Sequence, residues 1–167
     1  RFNMFSFENI TTGAGRDIVS GTEGANTIDT CDGNYTIWAL GGNDTIWAGR
    51  GDDKVYAGAG DDTIYAGTGN DHFDGGAGYD TLSYYDAAGS LMVDLRTGVA
   101  TVGRADQDTL VSIERVAGTK YADTFYAGAG QADFFGGGGD DLFYAGTGVS
   151  ANIFDGAGGN DHAHYGF

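Results

Sequence analysis

The chain has 167 residues, 32 of them Gly and none Pro, with a formal net charge of −16. That charge repels nucleic acid and anionic membranes and attracts cations. The single cysteine, Cys31, excludes an intrachain disulfide, and no apolar run approaches the roughly 18 residues of a membrane-spanning helix.

Length is that of one domain, or of one domain and part of another. All the acids except Glu8, Glu23 and Glu114 are Asp. Glu favours helices, whereas Asp favours turns and ligates metals on a short, stiff arm.

Residues 1–11 carry no repeat. Phe7-Glu8-Asn9-Ile10 resembles Ile113-Glu114-Arg115-Val116, and an Asp follows ten residues after the first apolar residue in each, Asp17 and Asp123. The chain therefore contains an incomplete duplication and opens near the end of a truncated unit. With Arg at residue 1 and no signal peptide visible, it reads as a fragment or processed piece of a longer protein.

From Thr12 to Ser83 a nine-residue period runs through eight units in unbroken register. The last five are the clearest: A-L-G-G-N-D-T-I-W, A-G-R-G-D-D-K-V-Y, A-G-A-G-D-D-T-I-Y, A-G-T-G-N-D-H-F-D and G-G-A-G-Y-D-T-L-S. Position four is Gly (Gly42, Gly51, Gly60, Gly69, Gly78) and position six is Asp (Asp44, Asp53, Asp62, Asp71, Asp80). Position eight is apolar: Ile46, Val55, Ile64, Phe73 and Leu82. The first three units are degenerate and carry Asp17, Asn26 and Tyr35 at position six.

Residues 84–117 form a connecting insertion. Leu91–Leu95 and Val99–Val102 flank Gly98 as a hairpin, and Arg104–Ala117 suits a short helix or a strand. A second, shorter array occupies 118–164, with Asp123, Asp141 and Asp161 on one side and Ala132 and Ser150 where Asp belongs on the other. Its unit 145–155 is two residues too long, its position-eight residues are mostly Phe, and 165–167 form a tail.

The last three residues of each nonad suit a short strand and the first six a tight glycine turn. Two nonads then make one flattened coil, so residues eighteen apart stack in one parallel sheet and position eight fills the interior. That interior is thin, and stacking brings carboxylates into columns that repel one another. Turns rich in Asp carboxylates and Gly carbonyls suit Ca²⁺, which takes six to eight oxygens.

The nonad G-G-x-G-x-D-x-U-x resembles that of the RTX, or hemolysin-type calcium-binding, family. The likeness covers 12–83 and 118–164, and the I-E-x-V element before each array is also similar. It implies an all-β fold, a right-handed parallel β-roll in two stacked arrays joined by the insertion, with Ca²⁺ ions between turns. It also implies secretion from a Gram-negative bacterium by a type I route. Carried over by position, the carboxylate pairs are Asp44–Asp62, Asp62–Asp80 and Asp53–Asp71, with Asp17, Asp123, Asp141 and Asp161 as further ligands. Glycine-loop carbonyls from Gly49, Gly51, Gly58, Gly60, Gly67, Gly69, Gly137 and Gly139 complete the shells. The second array is expected to carry metal on one edge only, and the opening turns at Asn26 and Tyr35 to be metal-poor.

Position nine is unusually aromatic, and Trp38 with Tyr56, and Trp47 with Tyr65, are expected to stack outward on opposite sheets. Such a stripe marks an interface: a flanking domain of the same polypeptide, a polysaccharide or another copy. The threonine ladder Thr27, Thr45, Thr63 and Thr81 reads as ordinary strand propensity, because the bulky position-nine neighbours spoil an ice-binding plane. His72, His162 and His164 sit in no zinc motif, no G-x-S-x-G elbow is present, and every carboxylate pair is explained by the repeat. The reading is a non-catalytic, calcium-folded module of a secreted or surface protein. Its alternatives are a polysaccharide-binding or S-layer-like assembly module and the C-terminal part of a secreted hydrolase.

Overall fold

Thr45-Ile46-Trp47 and Thr63-Ile64-Tyr65 show why the strands form: β-branched and aromatic residues lie between glycine turns. The computed structural model describes residues 3–5, 8–103, 106–146 and 152–165. The described strands begin with β1 (Asn3–Phe5), β2 (Asn9–Thr12), β3 (Ile18–Ser20), β4 (Thr27–Thr30), β5 (Thr36–Gly41) and β6 (Thr45–Trp47). There follow β7 (Lys54–Ala59), β8 (Thr63–Tyr65), β9 (His72–Ala77), β10 (Thr81–Ser83), β11 (Leu91–Asp94), β12 (Val99–Val102) and β13 (Asp106–Val111). The last are β14 (Arg115–Ala117), β15 (Thr124–Tyr126), β16 (Asp133–Phe135), β17 (Leu142–Tyr144), β18 (Ile153–Asp155) and β19 (His162–His164).

Strands eighteen residues apart pair in parallel, as the period requires. Thr27, Thr45, Thr63 and Thr81 face one another along β4, β6, β8 and β10. The result is a β-solenoid of two sheets. One has eight strands, ordered β2-β4-β6-β8-β10-β14-β16-β18; the other has eleven, ordered β1-β3-β5-β7-β9-β13-β12-β11-β15-β17-β19.

The expected hairpin is present as β11 and β12, with Gly98 at φ 67°. Beyond it the structure resolves the choice between helix and strand. β13 runs antiparallel to β12 and parallel to β9, and β14 follows. β11, β12 and β13 all enter the larger sheet. In the smaller sheet β10 pairs directly with β14, Leu82 facing Val116, so the coil continues across the insertion. The duplication is equally visible: Thr27 N–H donates to the Glu8 carbonyl (2.7 Å) and Asp133 N–H to that of Glu114 (2.8 Å).

The core is the position-eight column. Val19, Ile37, Val55 and Phe73 on one sheet and Ile28, Ile46, Ile64 and Leu82 on the other have no solvent exposure. Full burial of each such side chain stabilises by roughly 1.5–3 kcal/mol. In the second array the column turns aromatic, with Phe125 and Phe143 stacked at 5.1 Å and Phe134 and Phe154 at 5.7 Å.

β5, β7 and β9 are six residues long rather than three. They run on into the next turn, where Leu40, Gly58 and Gly76 keep the parallel register. This extension requires very close approach of successive turns. At Gly76 (φ 94°) an added Cβ would lie 2.0 Å from the Gly58 carbonyl oxygen, which only glycine permits.

Candidate metal centre

Position six lies at the corner between turn and strand, one residue before the strand and two before the buried position eight. Its side chain is therefore drawn into the edge of the interior. Asp44, Asp53, Asp62, Asp71, Asp80, Asp123 and Asp141 are all buried, as is Asp17; Asp161 is half-buried.

Along each edge one oxygen of each carboxylate accepts from the main chain of the rung before it. Asp44 N–H donates to Asp62 Oδ1 (2.7 Å), and Asp62 N–H to Asp80 Oδ1 (2.9 Å). On the other edge Asp53 N–H donates to Asp71 Oδ1 (2.7 Å). The degenerate units are served too, since Asn26 N–H donates to Asp44 Oδ1 (2.6 Å) and Tyr35 N–H to Asp53 Oδ1 (2.7 Å). In the second array Asp123 N–H donates to Asp141 Oδ1 (2.8 Å) and Asp141 N–H to Asp161 Oδ1 (3.0 Å). Each pair expected from the repeat is thus brought to adjacent rungs of one edge.

The other oxygen is left without a partner. Oδ2 of Asp44, Asp53, Asp62, Asp80 and Asp141 is buried and receives no hydrogen bond. An ionised oxygen in that position is costly unless a cation or a donor reaches it. Burial accordingly pushes the carboxyls of Asp44 and Asp53 up to about 7 and that of Asp71 up to about 8. Those of Asp80 and Asp141 rise to about 6, and that of Asp62 also rises. In every case the ladder N–H opposes the rise, and neighbouring Asp charges add to it.

The expected glycines line the same edges. Gly49, Gly51, Gly58, Gly60, Gly67, Gly69, Gly137 and Gly139 all have φ between 81° and 136°. An added Cβ at Gly49 would lie 1.9 Å from the Thr30 carbonyl oxygen, and one at Gly60 2.2 Å from that of Gly42. Among the described residues no three His, Cys, Asp or Glu side chains converge on one point. A cation here must therefore be held by a few carboxylates together with main-chain oxygens. That donor set, all hard oxygen, fits Ca²⁺ rather than a thiophilic or imidazole-seeking metal.

The edges also recruit residues outside the periodic register. Asp71 N–H donates to Asp108 Oδ1 (2.9 Å), and Asp80 N–H to Glu114 Oε2 (3.0 Å). Both stand where the next position-six Asp would be. Their signal was present, because Asp108-Thr109-Leu110 and Glu114-Arg115-Val116 keep the two-residue spacing from acid to buried apolar residue. A parallel outer ladder runs through position five, with Asp61 N–H donating to Asn43 Oδ1 (3.1 Å) and Asn70 N–H to Asp52 Oδ1 (3.0 Å).

On the opposite edge of the second array, Ala132 N–H donates to Asn152 Oδ1 (3.0 Å). Asn152 thus takes the register place assigned to Ser150, which lies outside the described residues. The two extra residues of that unit move the register on by two. Asp133, next to Ala132, is buried and accepts from the Tyr79 hydroxyl, with Arg115 Nη2 3.9 Å away.

Two position-nine pairs stack as expected, Trp38 on Tyr56 at 5.9 Å and Trp47 on Tyr65 at 5.0 Å, and Tyr126 also stacks on Tyr144 at 4.6 Å. His164 stacks on Tyr144, and His72 tilts against Tyr56.

No curated protein matches the chain. The family model of the RTX calcium-binding nonapeptide repeat matches residues 7–37, 20–55, 32–64, 47–82 and 112–142. These segments span well over half of the chain and contain most of the edge ladder. The chain belongs to the RTX calcium-binding nonapeptide repeat family, whose repeats bind Ca²⁺.

Proposed function

We propose that this chain is a calcium-loaded β-roll module of a larger secreted or cell-surface protein. It folds on Ca²⁺ binding after export and stabilises the domain attached to it. The observation that supports this most directly is the set of buried Oδ2 atoms of Asp44, Asp53, Asp62, Asp80 and Asp141, which receive no hydrogen bond. Ca²⁺ would be held by Asp44 with Asp62, Asp62 with Asp80, Asp53 with Asp71, and Asp141 with Asp161, together with oxygens of the glycine turns. When bound, it supplies the positive charge that lets these carboxylates ionise at close range. Because the unfolded chain has no preformed site, metal-binding free energy becomes folding free energy. Family membership favours secretion and a non-catalytic role. Circular dichroism during a Ca²⁺ titration tests the reading. Disorder giving way to β signal is expected, and β structure indifferent to chelator would overturn it.

A second reading has one specific observation in its favour. Trp47, Tyr65 and Tyr85 line a groove of about 520 Å³ together with Arg50, Thr68 and Asp86. A neutral polysaccharide strand, with apolar faces and hydroxyl edges, suits such a lining. Glycan binding that needs Ca²⁺ and is lost in Trp47→Ala would favour it; no binding to a neutral glycan panel would remove it.

A further inference from the structure

The turns fall into two backbone classes. In one, position two is left-handed: Leu40 (φ 82°), Gly49 (85°), Gly58 (117°), Gly67 (81°), Gly76 (94°), Gly137 (95°) and Ala157 (59°). Each of these turns carries Asp at position six: Asp44, Asp53, Asp62, Asp71, Asp80, Asp141 and Asp161. Leu40 and Ala157 hold that conformation although L side chains rarely adopt it. All five buried Oδ2 atoms without a hydrogen bond belong to this class.

The turns with Thr22 and Thr119 at position two belong to the other class: they lack the left-handed residue and close with protein atoms. Thr22 N–H donates to Asn26 Oδ1 (2.8 Å), and Asn26 Nδ2 donates back to Thr22 Oγ1 (2.9 Å). Nearly a hundred residues on, Thr119 N–H donates to Asp123 Oδ2 (2.6 Å) and Thr119 Oγ1 to Asp123 Oδ1 (2.9 Å). In both turns the threonine hydroxyl also accepts a main-chain N–H two residues later, from Gly24 (3.2 Å) and Tyr121 (3.0 Å). Tyr35 plugs the earliest turns differently: its hydroxyl lies 2.5 Å from the Gly13 carbonyl oxygen and 3.1 Å from that of Asp32. Asp108 is closed by the Tyr84 hydroxyl, which donates to its Oδ2 at 2.8 Å.

We propose that the side-chain donors of this second class take the place of metal ions. A position-two threonine then marks a calcium-independent turn, and the hairpin is bracketed by two such closures. Asp108 precedes it on the edge ladder; Asp123, which accepts from Leu91 N–H (2.7 Å), follows it. The edge is thereby divided into a loading block at Asp53 and Asp71, a metal-free joint around the hairpin, and a second loading block at Asp141 and Asp161. The inference rests on the calcium reading above and narrows it, since Asp123 drops out as a ligand.

Counting bound Ca²⁺ by equilibrium dialysis, with circular dichroism as the folding control, tests the division on the full chain. Asp123→Asn is expected to leave the count unchanged, whereas Asp141→Asn lowers it by at least one ion. The double variant Thr22→Gly with Asn26→Asp restores the open-turn sequence and is expected to raise the count by one. An ion lost on Asp123→Asn, or no ion gained by a folded double variant, would overturn the division and leave the calcium reading standing. A wild-type chain that binds no Ca²⁺ would overturn both.

Discussion

Asp53 N–H donates to Asp71 Oδ1 at 2.7 Å, and Asp53 accepts an equal bond on its own Oδ1 from Tyr35 N–H. Each carboxylate of the ladder thus divides its labour. One oxygen ties two rungs of the coil together, and the other is presented to the turn. In the proposed calcium sites, structure and metal binding share one side chain through different atoms, and substitutions can separate them.

Asp62→Asn keeps an oxygen to accept from Asp44 N–H but loses the ionised Oδ2. Asp62→Ala loses both and leaves a buried N–H without a partner, a cost of about 1–3 kcal/mol. The Ca²⁺ concentration at half-folding should rise for Asn and rise further for Ala. Equal shifts in a dichroism titration would contradict this division.

In the metal-free chain the raised carboxyls make acid stabilising. The folded state keeps protons on Asp44, Asp53 and Asp71 up to about pH 7–8, whereas the unfolded state releases them near the ordinary value of 3.8. The folded state binds more protons across that window, so stability falls as pH rises through it. In chelator, β signal should be stronger at pH 5 than at pH 8. In Ca²⁺ the dependence reverses, because protons compete with the ion for the same oxygens. Melting curves at both pH values, with and without Ca²⁺, measure this.

Tyr79 belongs to the first array and Asp133 to the second, and their hydrogen bond crosses the junction. Arg115 lies over the Tyr79 ring at 5.0 Å. Tyr79→Phe removes the donor from a buried carboxylate and should destabilise the loaded roll by about 1–3 kcal/mol. Its Ca²⁺ count should stay that of the wild type, since none of the proposed carboxylate pairs includes Asp133. Thermal melts in saturating Ca²⁺ read the first, equilibrium dialysis the second.

Gly67→Ala places a Cβ 1.8 Å from the Gly49 carbonyl oxygen at a φ of 81°. The turn before Asp71 must open to admit it. The loss should exceed the roughly 1 kcal/mol of an ordinary Gly-to-Ala mismatch and should weaken Ca²⁺ binding at Asp53 and Asp71. Gly130→Ala is the control, since an added Cβ there has nothing within 4 Å and φ is not left-handed. Calorimetric titration of both variants distinguishes a local clash from a general effect of added side chains.

The nonad by itself determined the coil. An apolar residue two places after an Asp, repeated every nine residues, leaves that residue only one face to occupy, and pairing at eighteen follows. The strand stacks, the buried Ile and Phe column and the carboxylate edges were all legible for that reason. Tertiary structure decided the rest, because it depends on contacts that no fixed spacing encodes. Asp108 and Glu114 join the edges 37 and 34 residues after their partners because the hairpin enters only one of the two sheets. Asn152 replaces Ser150 because that unit is two residues longer than the period. Whether a given Asp meets a threonine, as Asp123 does, a tyrosine, as Asp108 does, or no side-chain donor at its second oxygen depends on neighbours that meet only once the coil has closed.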